Sequence, residues 1–209
     1  MYHSLEQALL DLEKAGMLRR VHQEVDPHLE MAEIARQVFA AGGPALLFEN
    51  VKGSPFRAAC NIFGTQERLD FLFRKTLKGA KTAVQFKADP AGFFRHPDPV
   101  RLLTAAKAGI CALPRKSGSI KDFRECHLSD LPQLKCWPMD GGAFVTLPQV
   151  ATRASETASV MTANLGMYRI QISGNGYAPE KECGLHYQIK RDTARHHRKA
   201  LEEGRPLKV

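Results

Sequence analysis

The residues with the most chemistry to offer lie between positions 164 and 191. Asn164, Arg169, His186, Lys190 and Arg191 fall in the run Met161-Thr-Ala-Asn-Leu-Gly-Met-Tyr-Arg-Ile-Gln-Ile-Ser-Gly-Asn175 and in Gly184-Leu-His-Tyr-Gln-Ile-Lys-Arg191. An amide oxygen and an imidazole nitrogen can share a hard or borderline divalent cation. The three cations can hold phosphate and carboxylate, and the arginines add a planar fork. On residue types alone a second reading stays open: a solvated hairpin face with one satisfied histidine, since the spacing is looser than a metal motif requires. Cys126, His127 and Cys136 lack a fourth ligand at zinc-like spacing, so no zinc site is expected there. His22 and His28 read as surface or structural residues.

A hairpin must position these groups. Met167, Ile170 and Ile172 are apolar among Tyr168, Arg169, Gln171 and Ser173, which is roughly the period of a strand. Gly174-Asn-Gly176 supplies a turn, and Cys183 to Lys190 reads as the return strand. Asn164 and Arg169 are five residues apart, so an unbroken strand would place them on opposite faces. A break is therefore expected at Leu165-Gly166, where Gly166 can absorb it.

Upstream, helices and strands alternate. Ser4 and Gln7 form a capping-box signature ahead of Leu5, Ala8, Leu9 and Leu12, and Gly16 ends that helix. A strand over 18–25 and a helix opened by Asp26-Pro27 follow. Gly42-Gly43-Pro44 stops that helix ahead of the apolar run Ala45-Leu-Leu-Phe48. A strand over 57–62 and a helix capped by Thr65 come next. This order predicts an α/β N-terminal domain. Prolines in 89–99 are expected to break any long element in 79–99. A short helix over 99–107 is expected to carry Val100, Leu103 and Ala106 on one face, and a polar, basic loop is expected over 113–119. Trp137 is expected in the core, within turn chemistry supplied by Asp140-Gly-Gly142 through positive φ. Ala143 to Leu147 reads as a strand, 192–204 as a helix, and Arg205-Pro-Leu-Lys-Val209 as the start of another strand. A domain rarely ends there, so the chain is expected to be the N-terminal portion of a longer protein.

Composition narrows the class. With 209 residues, 44% hydrophobic and 25% charged, the chain has the make-up of a soluble globular protein. No apolar run is long enough for a transmembrane helix, and the N-terminus lacks the pattern of a signal peptide. Five cysteines without a C-x-x-C pair favour free thiols in a reducing cytoplasm. The net charge of +8 raises the question of nucleic acid, but no recognition motif accompanies it and aromatic content is 8%. An acidic small ligand accounts for the charge as well, and nucleic-acid binding is not expected.

Three stretches carry a family resemblance. Thr162-Ala-Asn-Leu-Gly-Met-Tyr-Arg169 resembles the flavin-site strand of the UbiD family of prenylated-FMN-dependent decarboxylases. Leu131-Pro-Gln-Leu-Lys-Cys-Trp-Pro-Met-Asp-Gly-Gly-Ala-Phe-Val-Thr146 is similar to the same family. So is Gly43-Pro-Ala-Leu-Leu-Phe-Glu-Asn-Val-Lys-Gly53 with Asn61-Ile-Phe-Gly-Thr65. They occur in the family's order and span nearly the whole chain. The resemblance implies an α/β (α+β) chain with an N-terminal α/β domain at 1–108 and a connecting segment at 109–135. At 136–209 it implies the beginning of a split β-barrel-like flavin-binding domain. It implies a non-oxidative, reversible carboxy-lyase acting on aromatic or α,β-unsaturated carboxylic acids, with a polyprenyl-hydroxybenzoate as one candidate substrate. Prenylated FMN is the implied cofactor, with a divalent metal (Mn or Mg) and K as a further candidate ion. A flavin prenyltransferase would supply the cofactor, and the full-length protein would be a homo-oligomer. A prenylated substrate would place the protein at the membrane periphery.

Residue by residue, the resemblance assigns Asn164 and His186 to the metal and Arg169 to catalysis, where it orients the substrate carboxylate. Met167, Tyr168, Arg169, Leu185, His186, Tyr187, Lys190 and Arg191 are implied to line the cofactor. The match is looser over 185–191, which lacks the arginine–tryptophan start and His-Arg-Gly-Gly end of some members. The family's third metal ligand and its acidic proton donor lie beyond Val209, so the chain alone is expected to be inactive. The alternatives are a non-catalytic flavin- or phosphate-binding module and an assembly fragment.

Overall fold

The computed structural model describes residues 2–95, 98–113, 125–155 and 157–209. Its fold mixes helices and strands, and its residues cluster into two compact units. The first is drawn from 1–21, 38–47 and 59–118, the second from 22–37, 48–58 and 119–209.

Helix α1 (Leu5–Lys14) begins where the sequence says it should. Ser4 Oγ accepts from Gln7 N at 3.2 Å. The return half of the capping box is displaced by one residue: Gln7 Oε1 accepts from His3 N, not from Ser4 N. Strand β1 (Leu18–Val25), helix α2 (Glu30–Ala40) and strand β2 (Ala45–Val51) form a crossover. Ala45 N donates to Met17 O and Lys52 N to Val25 O, so β1 and β2 run parallel, as a strand–helix–strand unit requires. Gly42, at φ +62°, turns the chain out of α2, and the first four residues of β2 are all buried. Strand β3 (Ala58–Cys60) completes a sheet in the order β1-β2-β3. Thr65 caps α3 (Gln66–Leu72) through Arg68 N. Ala8, Leu9, Leu12, Leu18, Ala45, Leu47 and Leu72 make one continuous core.

The next region departs from expectation. Residues 79–99 are not a single interruption, because α4 (Leu77–Ala88) is a regular helix and only Asp89 separates it from the short α5 (Pro90–Arg95). Leu, Lys, Ala and Gln dominate 77–88, and these are good helix formers. Helix α6 (Pro99–Ala112), capped by Asp98, runs five residues past the expected end. The face shared by Val100 and Leu103 is turned to solvent, Leu103 with 71% of its surface open. Apolar residues surround α6 nearly all the way round, so hydropathy alone allowed either face. The contact with α4 selects the face bearing Ala108, whose Cβ lies close to Gly79. The basic loop expected at 113–119 lies outside the described residues from position 114.

In the second unit, strand β4 (Phe144–Val145) joins β7 (Arg169–Gln171) and β8 (Gly184–His186) in the order β4-β7-β8. Strands β5 (Gln149–Thr152) and β6 (Asn164–Met167) form a separate antiparallel ribbon. These strands do not close into a barrel among the described residues. The β7–β8 hairpin has the expected pairing, although its return strand spans only Gly184–His186 and not 183–190, and Gly174, Asn175 and Gly176 all take positive φ in its connection. Helix α7 (Asp192–Glu202) buries Thr193, Ala194, His196 and Ala200.

Four further expectations need correction here. Trp137 is 61% exposed, because its turn is held by polar bonds with Asp140 and not by packing of the indole. Gly141 and Gly142 do not have positive φ. Gly142 is needed for close approach instead, since a Cβ there would lie 1.9 Å from Ser173 O. The strand break falls at Tyr168, between β6 and β7, and Gly166 sits inside β6 opposite Val150. Finally, 205–209 forms no strand.

Candidate functional site

The register of the second unit decides which side chains meet. Phe144 pairs with Gln171, and Arg169 with His186. Residues two apart on a strand share a face, as do directly paired residues. Phe144, Gln171, Arg169 and His186 therefore occupy one face of the β4-β7-β8 sheet. Val145, Ile170 and Leu185 occupy the other, so Leu185 does not share the surface of Arg169.

The guanidinium carbon of Arg169 lies 3.9 Å over the Phe144 ring, and the His186 ring meets the same phenyl edge-on at 5.4 Å. Arg169 Nη2 donates to Asp140 Oδ2 at 2.9 Å and Nη1 to Oδ1 at 3.4 Å. The Arg169 side chain is 39% exposed and that of Asp140 only 11%. Hydrogen bonding from Arg169 is the main cause that holds the Asp140 carboxyl below the usual range, with burial working against it. A guanidinium has five N–H groups, so this arrangement fixes Arg169 while leaving most donors for another anion. Cys136 lies beside the pair, and burial pushes its thiol upward, which disfavours the thiolate.

The amide of Gln171 sets the tautomer of His186. Gln171 Nε2 donates to Ser173 O, which can only accept. Gln171 Oε1 therefore faces Asn175 Nδ2 at 3.0 Å and His186 Nε2 at 3.3 Å. Nε2 must carry the proton, and Nδ1 is the nitrogen left for a ligand.

Asn164 belongs to another group. Its strand partner is Thr152, and both point toward α7. Asn164 Nδ2 donates to Tyr168 Oη at 3.0 Å and to Thr193 Oγ1 at 2.9 Å. Thr152 Oγ1 meets His196 Nδ1 at 3.0 Å. Thr193 and His196 are one helical turn apart, so α7 grips both members of the cross-strand pair. Met167 is on the opposite face of β6, 68% exposed beside Leu165. Tyr187 Oη bonds to His197 Nδ1. Lys190 and Arg191 are exposed at the start of α7, where Arg191 Nε donates to Gln188.

Four of the predicted residues fall into an Arg169–His186 face and an Asn164–Tyr168 cluster, with no hydrogen bond joining the two among the described residues, while Met167, Leu185 and Tyr187 lie in neither. The donor set on the Arg169–His186 face suits an anion, since the guanidinium is held and keeps free N–H groups. For a divalent metal the fit is partial. No group of three or more His, Cys, Asp or Glu side chains among the described residues could hold one. Asn164 Oδ1 and His186 Nδ1 are the ligand atoms available. Asp140, Phe144, Gln171, Thr193 and His196 were not singled out from sequence. A counter-charge for Arg169 was the one clue, and sequence distance concealed it.

Comparison with known proteins shows the family. The family model for the 3-octaprenyl-4-hydroxybenzoate carboxy-lyase N-terminal domain matches residues 9–87, and that for its Rift-related domain matches 113–209. The chain belongs to the UbiD family. It is similar to an uncharacterized protein of Archaeoglobus fulgidus, 36% identical over 208 residues, covering 97% of this chain and 41% of that protein. It is also similar to a subunit of the 4-hydroxybenzoate decarboxylase of Chlamydia pneumoniae, 37% identical over 196 residues, covering 90% of this chain and 31% of that one. The chain spans less than half the length of these relatives. Among solved structures it resembles the UbiD-class enzyme HmfF from Pelotomaculum thermopropionicum in complex with FMN. The TM-score is 0.68 at 25% identity over 98% of this chain and 41% of that one. An evolved dimeric form of HmfF in complex with prFMN gives 0.69 at 24% identity over 99% and 43%. No helix among the described residues is long and apolar enough to cross a membrane.

Proposed function

We propose that this chain supplies part of the active site of a non-oxidative, reversible decarboxylase that uses prenylated FMN. The substrate class is an aromatic or α,β-unsaturated carboxylic acid, with polyprenyl-hydroxybenzoate one candidate. The observation that carries this reading is Arg169. It is stacked on Phe144, tied to Asp140 and left with unused N–H groups on an exposed face. A carboxylate binds such a group with its direction set before the reaction, which lowers the entropic cost of orientation. Stacking and a planar fork are properties that lysine does not share.

When bound, prenylated FMN supplies the electron sink that decarboxylation requires. Arg169 would bind and orient the substrate carboxylate. Lys190 and Arg191 would attract the cofactor phosphate, and Met167, Tyr168, Leu185 and Tyr187 would lie along the cofactor. Leu185 could do so only from the sheet face opposite Arg169. Asn164 Oδ1 and His186 Nδ1 would donate to a divalent Mn or Mg ion, with K as a second ion. The remaining ligand and the acid that reprotonates carbon would come from residues outside this chain. Five free cysteines favour a reducing, cytoplasmic setting. A flavin prenyltransferase and further copies of the same chain are the partners proposed.

The protein as its gene encodes it, supplied with prenylated FMN, should release one CO2 per substrate without net flavin reduction. It should also incorporate labelled bicarbonate into the substrate in reverse. Flavin binding without either reaction would replace this reading with that of a binding module.

A further inference from the structure

Three polar atoms near the end of β6 form a closed triangle. Asn164 Nδ2 is 3.0 Å from Tyr168 Oη and 2.9 Å from Thr193 Oγ1, and the two hydroxyl oxygens are 2.5 Å apart. Thr193 is fully buried. Each short edge needs one hydrogen between its atoms. With the amide nitrogen facing inward, the NH2 group fills two edges and one hydroxyl fills the third. With the amide oxygen inward, only two hydroxyl hydrogens would serve three edges, and one pair of oxygens would be in bare repulsion. The triangle therefore fixes the orientation of the amide, nitrogen in and Oδ1 out.

We propose that Tyr168 and Thr193 act together as a lock on the Asn164 carboxamide, and that Thr193 is a positioning residue for the cation. The inference rests on the reading of Asn164 as a metal ligand and adds the reason its oxygen, not its nitrogen, is presented. Both hydroxyls are needed. With only one, a single edge remains, and either end of the amide can satisfy it. Thr193 is also held in register, because His196, one turn along α7, binds the strand partner of Asn164. A misplaced amide nitrogen cannot ligate a cation, since its lone pair is delocalised and its hydrogens point outward.

The test uses the protein as its gene encodes it, with Mn2+ in the presence of FMN. The side-chain amide signal of Asn164 is followed by NMR, both for hydrogen exchange and for paramagnetic broadening by Mn2+. Wild type should show slowed exchange of both amide hydrogens and broadening at the lowest Mn2+ concentration. Thr193→Val keeps the shape and removes the hydroxyl. It should lose the protection and weaken Mn2+ binding about 10- to 100-fold, the usual effect of removing an outer-shell partner. Thr193→Ser should restore both. Tyr168→Phe opens the same triangle and should match Thr193→Val, with the double variant little worse than either. It also carries the test if Thr193→Val does not fold. Wild-type Mn2+ affinity in both Thr193→Val and Tyr168→Phe, with Asn164→Ala impaired, would overturn the lock and leave Asn164 as a ligand. Equal Mn2+ affinity in wild type and Asn164→Ala would overturn the ligand reading, and the inference with it.

Discussion

Asp140 holds the guanidinium of Arg169 by two hydrogen bonds, of 2.9 and 3.4 Å, while Phe144 supports its other surface. A carboxylate from the chain thus already occupies one side of the arginine proposed to receive a carboxylate from substrate. The pair fixes where the free N–H groups point.

That relationship sets a pH dependence. The folded carboxyl of Asp140 is depressed, chiefly by its bond from Arg169. The pair's stabilisation is present above the unfolded-state value of about 3.9 and is lost as pH falls through the lower folded value. Unfolding free energies of wild type and Asp140→Asn, from urea titration, should differ at pH 7 by on the order of 1 kcal/mol at most for a partly exposed pair. The gap should close as pH falls through the lowered folded value of Asp140. A gap that stays constant down to pH 2 would show that Asp140 contributes through packing alone.

Adjacent glycines should respond differently to alanine. A Cβ on Gly142 would meet the backbone oxygen of Ser173 at 1.9 Å, which can be relieved only by moving the chain. A Cβ on Gly141 would meet Asn175 Oδ1 at 2.7 Å, the end of a side chain that can swing away. Gly142→Ala should cost about 1–3 kcal/mol or more by overpacking. Gly141→Ala should cost about 1 kcal/mol, the bond from Asn175 to Gln171. Urea midpoints of the two variants check the order, and equal costs would contradict it.

The two leucines Leu12 and Leu103 should separate just as clearly. Leu12 is fully buried in the α1 core, and Leu103 projects from α6. Leu12→Ala should lose about 2–5 kcal/mol. Leu103→Ser should stay within about 0.5 kcal/mol of wild type. A large loss at Leu103 by urea titration would mean that its face of α6 is covered in solution.

Much of the fold was legible because local signals agreed with each other. Ser4 and Thr65 cap helices as their positions imply, and the buried run beginning at Ala45 is a strand. The Gly174-Asn-Gly176 turn and the β7–β8 pairing also followed from residue types. What was not legible depends on tertiary choice. Helix α6 had two apolar faces, and only packing against α4 selected one. The break in the strand pair fell at Tyr168, because Pro148 O draws the Tyr168 amide and each side of it joins a different sheet. Asn164 and Arg169 were legible as site candidates. Asp140, 29 residues before Arg169, and Thr193, 29 residues after Asn164, were not, since nothing in the sequence records which distant polar groups will meet.

The most direct test of the account compares Arg169→Lys with Asn164→Ala in the protein as its gene encodes it. Both are purified with prenylated FMN, flavin content is recorded, and CO2 release is then measured. Lysine keeps the charge of Arg169 but loses the fork and the stacking on Phe144. Arg169→Lys should therefore retain most of its flavin and lose turnover about 100-fold or more, an effect of misdirected substrate. Asn164→Ala should lose flavin and metal in the first place. Near wild-type turnover in Arg169→Lys at full flavin content would contradict the role assigned to Arg169 and the function built upon it.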